Sequence, residues 1–557
     1  DGIRDVAVTG VQTCALPIWD RRVRVADRFD YVIVGAGSAG CVLAARLSED
    51  PSVKVLLLEA GGRDLNPLIR IPLGLGKLHQ YKLHDWGYVS EPEPHVDGRR
   101  IETPRGKVLG GSSSINMMTF TRGDAAGFDR WARNGAPGWS YADVLPYFKK
   151  LERAADGESP TRGGNGPIGV QWTRVRDPLC EAWIEACVAQ GIAFNADLSS
   201  GSPEGIGRTQ FSIRDGRRAS AALTYLHPAR RRVNLTVRTR ALATRVIFER
   251  GRAVGIDYLD RRGTPASARA EREVILSGGA YNTPHLLLLS GIGPADHLRE
   301  HGIAVHADLP VGRNLQDHLM VMNLYARKQP GEFHRNLRFD RMALHMLRAQ
   351  FLRSGYATTI PSGVMAFLRT RPELDTPDLE FMFPLSPPYA GLWFPGVYKP
   401  FADAFGIRPA LLRPASRGDV TLRTNDPRQP PRIRFNFLSA PEDLPVLRHG
   451  LKLARQIARH RALDPFRGPE LSPGDAVHDD AELDAYIRRA LLTVSHPACT
   501  CPMGTGPHAV VDPALRVRGI AGLRIVDASA MPDLISAHIN ACVLMMAEKA
   551  ADLIRGR

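Results

Sequence analysis

The sequence predicts an α/β protein built around a Rossmann-like nucleotide-binding unit. With 557 residues the chain is long enough to bury a large core and to form more than one domain. Its composition, 44% hydrophobic and 24% charged residues, is typical of a globular protein. The third observation is local: residues 28–62 contain, in order, a β-rich apolar run, a glycine turn, a helical pattern and a second strand.

The first predicted element is a βαβ unit with a dinucleotide-binding fingerprint. The run DYVIV is followed by GxGxxG, whose residues are Gly35, Ala36, Gly37, Ser38, Ala39 and Gly40. The first glycine permits a tight turn, the second lets the backbone approach a pyrophosphate, and the third allows the helix to pack closely on the strand. Glu59 ends the second strand, where its carboxylate can accept hydrogen bonds from both ribose hydroxyls. The fingerprint predicts a bound dinucleotide but does not separate NAD from FAD.

A glycine- and serine-rich loop follows in TPRGKVLGGSSSINMMTFTRG, residues 103–123. Small side chains and accessible N–H groups in such a loop suit a cofactor ring or a phosphate pressed against the backbone, although an ordinary loop would look the same. A second GxGxxG in a strand–helix context is not found in the sequence. The simple interpretation is one dinucleotide that stays bound.

Two later segments complete the pattern of strands, loops and helices. Residues 277–293 follow the strand REVILS, and Thr283-Pro284 is predicted to start an apolar helix because proline suits the first helical turn. Residues 522–556 are predicted to form a strand that ends at Asp527, then a loop, then a helix whose N-terminus aims its positive end at whatever binds nearby.

Charge and cysteine content exclude several classes of protein. The net charge of +15 comes from arginines scattered along the chain, and the longest basic run, Arg230 to Arg232, is too short to predict nucleic-acid binding. Seven irregularly spaced cysteines do not describe a disulfide framework and favour a reducing cytoplasm. No apolar run reaches the roughly 18 residues of a membrane-spanning helix.

The N-terminal segment, residues 1–18, is predicted to be non-native. Its sequence VTGVQTCALPI has no signal-peptide architecture and resembles the translated read-through of a sequencing adapter. We therefore exclude residues 1–18 from the prediction of the fold, and the natural N-terminus stays open.

His496 is the candidate catalytic residue in TVSHPACTCPMGTG, residues 493–506. A metal site with Cys499 and Cys501 is not predicted, because no second CxxC or HxxxH cluster supplies further ligands. A redox disulfide is disfavoured by the strained CxC spacing, and a cysteine nucleophile by the lack of an oxyanion motif. A histidine with a pKa near 6.5 is suited to remove a proton at neutral pH, whereas a purely structural histidine before proline is the simpler alternative.

Taken together, these segments resemble the glucose–methanol–choline (GMC) family of FAD-dependent oxidoreductases, and most closely its choline-dehydrogenase-like and bacterial alcohol dehydrogenase branch. The resemblance runs through the whole chain from about residue 27. Segments 106–123 and 279–293 are similar to the two signatures of the family, and RPASRGDVTLRTNDPRQPPRIRFNFL, residues 413–438, is similar to the start of its C-terminal region. The resemblance implies FAD as the cofactor.

The resemblance also implies which residues hold FAD. The GxGxxG turn and Glu59 would bind the ADP half. The other implied positions are Gly110, Gly111, Ser112 and Asn116 along the pyrophosphate and the flavin, Val237 at the adenine, Asp527 and Ala528 beside the pyrophosphate, and Asn540 against the flavin. Some relatives tether FAD through a histidine before the Asn of SSHN; this chain has Ile115 there, so non-covalent FAD is implied.

For the catalytic pair, the resemblance implies His496 and His538. The family phrase HPxxTCxMG matches His496, and the partner position, counted from Pro532, is His538. Many relatives of this branch read GNTNAP where this chain reads AHINAC, so a His/His pair is a departure. The implied reaction is oxidation of an alcohol, in particular a primary one, to an aldehyde by hydride transfer to flavin N5. An O₂-using oxidase and a non-redox lyase of the same family remain alternatives.

The expected architecture is a discontinuous FAD-binding domain and a second, substrate-binding domain built on an antiparallel sheet. We assign residues 27–165, 216–325 and 490–557 to the FAD domain, and 166–215 and 326–489 to the substrate domain. The expected partners are a small alcohol and an electron acceptor, which is a quinone, another carrier or O₂. The expected location is the cytoplasm, with peripheral contact to the inner membrane left open.

Overall fold

The computed structural model describes residues 27–556, and the segment predicted to be non-native, 1–18, lies outside them. The strands are β1 Asp27–Val34, β2 Val55–Glu59, β3 Glu152–Ala154, β4 Ile168–Trp172, β5 Gly205–Arg208, β6 Gln210–Phe211, β7 Ile213–Arg214, β8 Arg217–Arg218, β9 Leu235–Thr239, β10 Leu242–Glu249, β11 Arg252–Leu259, β12 Pro265–Leu276, β13 Leu319–Met320, β14 Asn323–Arg327, β15 Ser362–Leu368, β16 Leu379–Pro384, β17 Ala404–Leu411, β18 Asp419–Thr421, β19 Arg432–Arg434, β20 Arg467–Ser472, β21 Leu492–Thr493 and β22 Leu523–Ile525. The α-helices are α1 Ser38–Leu47, α2 Pro67–Arg70, α3 Leu75–Gln80, α4 Ala125–Arg133, α5 Tyr141–Leu151, α6 Pro178–Ala189, α7 His227–Ala229, α8 Gly279–Leu289, α9 Ala295–Glu300, α10 Glu332–Asn336, α11 Phe339–Leu347, α12 Asp443–Ala458, α13 Asp480–Ala490 and α14 Asn540–Arg555. Within residues 27–556, no helix is both long enough and apolar enough to cross a bilayer.

The first sheet forms the Rossmann-like core. Its strand order is β10-β11-β12-β1-β2-β9, and β22 pairs with β12. β1 runs parallel to both β12 and β2, β9 is parallel to β2, and β22 is parallel to β12, whereas β10, β11 and β12 are antiparallel. β2 is buried at every position and β1 at its last four, as expected of strands that are covered on both faces. The predicted α/β class and Rossmann-like core are confirmed.

Parallel pairing brings four separate parts of the chain to one edge of this sheet. Gly35 follows β1, Glu59 ends β2, Ser277 follows β12, and Asp527 comes two residues after the end of β22. The helices α1 and α14 both begin at this edge. In open α/β sheets the carboxyl ends of the strands are where ligands bind, so the topology predicts a ligand site at this edge.

The second sheet is antiparallel, as expected. Its order is β20-β14-β17-β16-β15-β5, with β13 paired to both β17 and β21. One face packs an aromatic core in which the rings of Trp183 and Phe383 stack at 4.8 Å between centroids. Because side chains alternate along a strand, the other face is free to line a cavity above the first sheet, and Met365, Met382 and Arg408 lie there. The boundaries given above for the two domains stay a prediction.

The start of helix α8 differs from the prediction. α8 begins at Gly279, so Pro284 lies inside the helix and not in its first turn. Proline has no N–H to donate to the carbonyl of Ala280, four residues earlier. The hydroxyl of Thr500 donates to that carbonyl at 2.8 Å instead. A side chain about 220 residues away therefore lets the helix continue through proline, and no local pattern indicates this.

Candidate active site

A cavity of about 890 Å³ extends from the carboxyl edge of the first sheet to the inner face of the second. Its volume lies at the upper end of the range of small-molecule sites, roughly 300–1,000 Å³. The lining includes most of the residues that the sequence assigns to the cofactor, which are Gly35, Gly37, Ser38, Ala39, Glu59, Gly111, Ser112, Asn116, Asp527, Ala528 and Asn540. Both histidines of the predicted catalytic pair, His496 and His538, line the same cavity.

The glycine turn is shaped for close approach of a ligand to the backbone. Gly35 has a φ of +97°, and a side chain there would overlap the carbonyl of Ser277. A side chain at Gly40 would overlap the carbonyl of Gly35, so this glycine packs helix α1 against the turn, as predicted. A Cβ at Gly37, in contrast, would meet nothing closer than the Ser277 oxygen at 4.0 Å, which leaves the N-terminus of α1 open to the cavity.

Two backbone N–H groups fix the orientation of the Glu59 carboxylate in the cavity. The buried carboxylate accepts hydrogen bonds from the N–H of Ala36 at 2.9 Å and from the N–H of Gly61 at 2.7 Å. Burial raises the pKa of Glu59 to about 7, although both backbone bonds and Lys107 oppose that shift. A carboxylate has about four acceptor positions, so lone pairs remain for ligand hydroxyls in the cavity.

The serine-rich loop closes over the glycine turn. Gly110 and Gly111 have φ angles of +88° and +52°, and residues Gly111–Ser114 form a 3₁₀ turn. A Cβ at Gly111 would lie 2.7 Å from the Cα of Gly37, so only glycine allows the two loops to approach this closely. Gly110 supports the turn by donating to the carbonyl of Ala36 at 2.7 Å and does not itself line the cavity.

Asp527 and Asn540 connect the C-terminal segment to the cradle. Buried Asp527 accepts hydrogen bonds from the N–H of Gly279 at 2.8 Å and from the hydroxyl of Thr283 at 2.6 Å. Asn540, the first residue of α14, accepts a hydrogen bond from the Ser38 hydroxyl at 2.7 Å. Two helix N-termini, those of α1 and α14, thus meet at the cavity, where their dipoles favour a phosphate.

One predicted cofactor position, Val237, lies away from the cavity. Val237 lies in the middle of β9 opposite Leu57 and does not line the cavity. The chain reaches the cavity only after the end of β9, at residues 241–243, where Ala241 donates its N–H to the carbonyl of Glu59 at 2.8 Å. The adenine end of a dinucleotide would therefore meet residues 241–243, because ligands lie beyond the carboxyl ends of parallel strands.

The segments that carry His496 and His538 are joined by backbone pairing. Cys499 donates its N–H to the carbonyl of Ala528 at 3.0 Å, and Cys501 donates to Ser529 at 2.8 Å. Both thiols are buried, and burial raises their pKa, so they are packing groups and not nucleophiles. Within residues 27–556 no cluster of His, Cys, Asp and Glu could hold a metal ion.

His496 and His538 face each other at the reacting end of the cavity. Their ring centroids are 4.8 Å apart, and the rings are nearly perpendicular, at 82°. The backbone N–H of His496 donates to buried Asp317 at 2.7 Å, and Asp317 also accepts a hydrogen bond from the Thr493 hydroxyl. The backbone N–H of His538 donates to the hydroxyl of Thr121 at 2.9 Å. These bonds hold the backbone from which each imidazole projects.

Two further residues complete the site, and the sequence analysis missed both. His318 is fully buried, and its Nδ1 lies 2.9 Å from Nδ1 of His496. Glu380 is also fully buried, and its Oε1 lies 2.9 Å from Nε2 of His538, while its Oε2 has no partner among the described residues. In the sequence, His318 is marked only by its place at the end of the polar turn NLQDH, and Glu380 only as the single acid in the apolar strand LEFMF.

Electrostatics keep His496 and His318 neutral. Burial lowers the pKa of His318 to about 3. Burial, together with the nearby His538, His318 and Arg105, lowers the pKa of His496 well below its usual value. Because the Nδ1 atoms of His318 and His496 share one hydrogen bond, one nitrogen donates and the other accepts.

Comparison with known proteins identifies the family. The family model described as GMC oxidoreductase matches residues 29–320 with its N-terminal part and 414–547 with its C-terminal part. The oxygen-dependent choline dehydrogenases of Sinorhizobium fredii and Brucella ovis are 43% and 42% identical over 95% of this chain and 96% of their own length. Among solved structures, a pyridoxine 4-oxidase from Mesorbium loti is 33% identical with a TM-score of 0.84, covering 95% of this chain and 99% of that one. The formate oxidase of Aspergillus oryzae, in which FAD modification was studied, is 28% identical with a TM-score of 0.87, covering 95% of this chain and 98% of that one. The cradle fits FAD, and the chain belongs to the GMC family of FAD-dependent oxidoreductases.

Proposed function

We propose that this protein oxidises an alcohol, and a primary alcohol best, to the corresponding aldehyde. The observation that carries the proposal is the pair His496 and His538, which faces the cavity that holds the cofactor cradle. When bound, FAD supplies the hydride acceptor. The chain itself has to bind the alcohol, orient its carbinol carbon, and take the hydroxyl proton.

His496 is the proposed base. Its lowered pKa keeps the imidazole unprotonated, so a lone pair is available at neutral pH. The backbones of Ile535 and Leu412 lie near the His318 ring and raise its pKa, which favours a proton on the ring. Nε2 of His318 is buried and makes no hydrogen bond among the described residues, and the proposal places the proton on this nitrogen. With that proton on Nε2, Nδ1 of His318 is the acceptor for Nδ1–H of His496. This arrangement leaves Nε2 of His496 free to take the proton of the substrate.

His318 is therefore a positioning residue in this proposal. It does not touch the reacting atoms but sets the tautomer of His496, as a partner on the far ring nitrogen does for many catalytic histidines. Its own low pKa, about 3, prevents it from becoming a donor at both nitrogens at neutral pH. A charged His318 would take away the acceptor that the Nδ1 proton of His496 requires.

His538 is proposed to hold the hydroxyl and to stabilise the alkoxide as it forms. Glu380 is a buried carboxylate whose only hydrogen-bond partner among residues 27–556 is His538. A buried carboxylate needs a donor, and Nε2 of His538 is placed to supply it. When the other ring nitrogen of His538 also carries a proton, its N–H can donate to the developing alkoxide.

The identity of the electron acceptor is the second part of the proposal. A dehydrogenase that delivers electrons to a quinone or another carrier is preferred, and an oxidase that uses O₂ is the second candidate, favoured by the printed name of the choline dehydrogenase relatives. All six cysteines in the described residues are free, which supports a cytoplasmic location. Exposed Phe339, Leu347 and Phe351 provide an apolar surface for peripheral membrane contact, which co-sedimentation with liposomes would test.

Anaerobic addition of alcohols to the purified, FAD-loaded protein tests the proposed function. We expect a primary alcohol to bleach the oxidised flavin spectrum within the time of one turnover. A non-redox lyase would leave the spectrum unchanged with every alcohol, and that outcome would contradict the proposal. Reoxidation by O₂ compared with an artificial quinone then separates the oxidase from the dehydrogenase.

A further inference from the structure

Arg408 is a charged side chain in the cavity to which the mechanism gives no role. It lies on β17 and lines the cavity together with Met320, Met365 and Met382. Among residues 27–556, no side chain forms an ion pair or a hydrogen bond with its guanidinium, and no charged neighbour contributes to its pKa. Arg408 is partly exposed, and the cavity is the space that it faces. A cation among apolar side chains without a partner is unfavourable, and burial accordingly lowers the pKa of Arg408. An unpaired guanidinium in a ligand cavity indicates a ligand with the opposite charge.

The register of the second sheet places Arg408 at the reacting end of the cavity. Arg408 pairs with Met382 on β16, and Ala410 pairs with Glu380. Residues two apart on a strand point to the same face, so Arg408 lies on the face that carries Glu380, which holds His538. Measured along the strands, the backbone of Arg408 is two residues, about 7 Å, from the backbone of Glu380. A short alcohol could reach from the histidine pair to the guanidinium.

The other charged groups of the cavity do not neutralise Arg408. Among the described lining residues the carboxylates are Glu59, Glu102 and Asp527. Glu59 and Asp527 belong to the cofactor cradle, and exposed Glu102 is paired with Lys82 at 2.6 Å. Glu380 lies on the same face of the second sheet but is held by His538 and does not line the cavity. Arg408 is therefore the one charged side chain that this sheet contributes to the described lining.

We propose that the substrate is an alcohol that carries a carboxylate, and that Arg408 binds this carboxylate while the histidine pair acts on the hydroxyl. The inference rests on the proposed function and specifies its substrate class. The planar guanidinium offers two parallel N–H donors, which match a carboxylate. Choline, the substrate in the printed name of the Sinorhizobium fredii relative, is a cation and would be repelled by Arg408.

The test compares 4-hydroxybutanoate, 1-pentanol and choline as anaerobic reductants of the FAD-loaded protein. We expect the hydroxy acid to be preferred by the wild-type protein. Arg408→Gln should lower kcat/KM for the hydroxy acid by about 10- to 100-fold and leave that for 1-pentanol within about threefold. Arg408→Lys, which keeps the charge but loses the planar pair of donors, should fall between these values. The control is Arg369→Gln, because Arg369 follows β15 of the same sheet but is exposed and paired with Glu204.

A second readout does not depend on turnover. Butanoate, which has no hydroxyl to oxidise, is titrated against the FAD-loaded protein, and binding is followed through the flavin spectrum and thermal stability. We expect butanoate binding to weaken by about 10- to 100-fold in Arg408→Gln and to be unchanged in Arg369→Gln. The inference is overturned if choline is the best substrate, if butanoate binds both variants equally, or if Arg408→Gln slows all three alcohols equally. Failure of every alcohol to bleach the flavin would instead contradict the proposed function, and butanoate binding would still decide the role of Arg408.

Discussion

Replacing Glu380 by glutamine should slow reduction of the flavin by alcohol while the protein still folds and binds FAD. The bond between Glu380 and His538 is 2.9 Å long, and the Glu380 side chain is only 1% exposed, so water does not compete with it. A charge-assisted hydrogen bond contributes about 1.5–3 kcal/mol, against about 1 kcal/mol for a neutral one. Gln keeps a neutral bond, so the expected loss of about 1 kcal/mol corresponds to a rate of reduction roughly fivefold lower. Glu380→Ala loses the whole bond and should reduce the rate by about 10- to 100-fold.

The assay is stopped-flow loss of oxidised-flavin absorbance in the absence of oxygen, at saturating alcohol. Glu470→Gln is the matched control, because Glu470 also belongs to the second sheet and its side chain is only 5% exposed, but it is paired with Arg455 and not with a histidine of the site. A positioning role through His538 further requires that Glu380→Gln has no additional effect in His538→Asn. The reasoning is refuted if Glu380→Gln reduces at the wild-type rate, if Glu470→Gln is equally slow, or if the two changes are additive.

Three further results are expected from the same geometry. The pKa of His496 is lowered, so the rate constant for flavin reduction should stay constant as pH falls through about 6.5 and decline only below it. Because His538 contributes to that lowering, His538→Asn should move the decline to higher pH. His318→Phe removes the acceptor that fixes the tautomer of His496 and should lower the rate of flavin reduction by about tenfold or more, with the flavin content unchanged. An unaltered rate would exclude a positioning role for His318. Gly111→Ala would place a Cβ 2.7 Å from the Cα of Gly37 at a φ of +52°. The purified protein should therefore contain less FAD and unfold at a lower temperature. Full FAD occupancy at the wild-type Tm would show that the serine-rich loop and the glycine turn can separate.

The parts of the site that could be predicted from the sequence are those with local signals. The turn around Gly35 and the acid at Glu59 follow from steric and hydrogen-bonding requirements within about 30 residues. His496 and His538 lie about 40 residues apart, and each lies in a short phrase that the family resemblance makes visible. The Rossmann-like core was predicted for the same reason, because its first βαβ unit is continuous in sequence.

The residues that the sequence did not reveal depend on contacts between distant parts of the chain. Glu380 meets His538 across 158 positions, and His318 meets His496 across 178 positions. Neither contact can be read from periodicity, because a single acid in an apolar strand and a histidine at the end of a turn have many structural explanations. The family resemblance assigns Val237 to the adenine, whereas Val237 lies within β9 and the chain reaches the cavity only where that strand ends.

The most direct test of the central claim is the rate of anaerobic flavin reduction by a primary alcohol in His496→Ala, compared with the wild-type protein at the same FAD content. If His496 takes the hydroxyl proton, the rate should fall by about 100- to 10,000-fold, the usual contribution of a general base. The loss should be smaller at high pH, where hydroxide can take the proton in place of the missing imidazole. A variant that retains its FAD and is reduced at the wild-type rate would show that another group removes the proton.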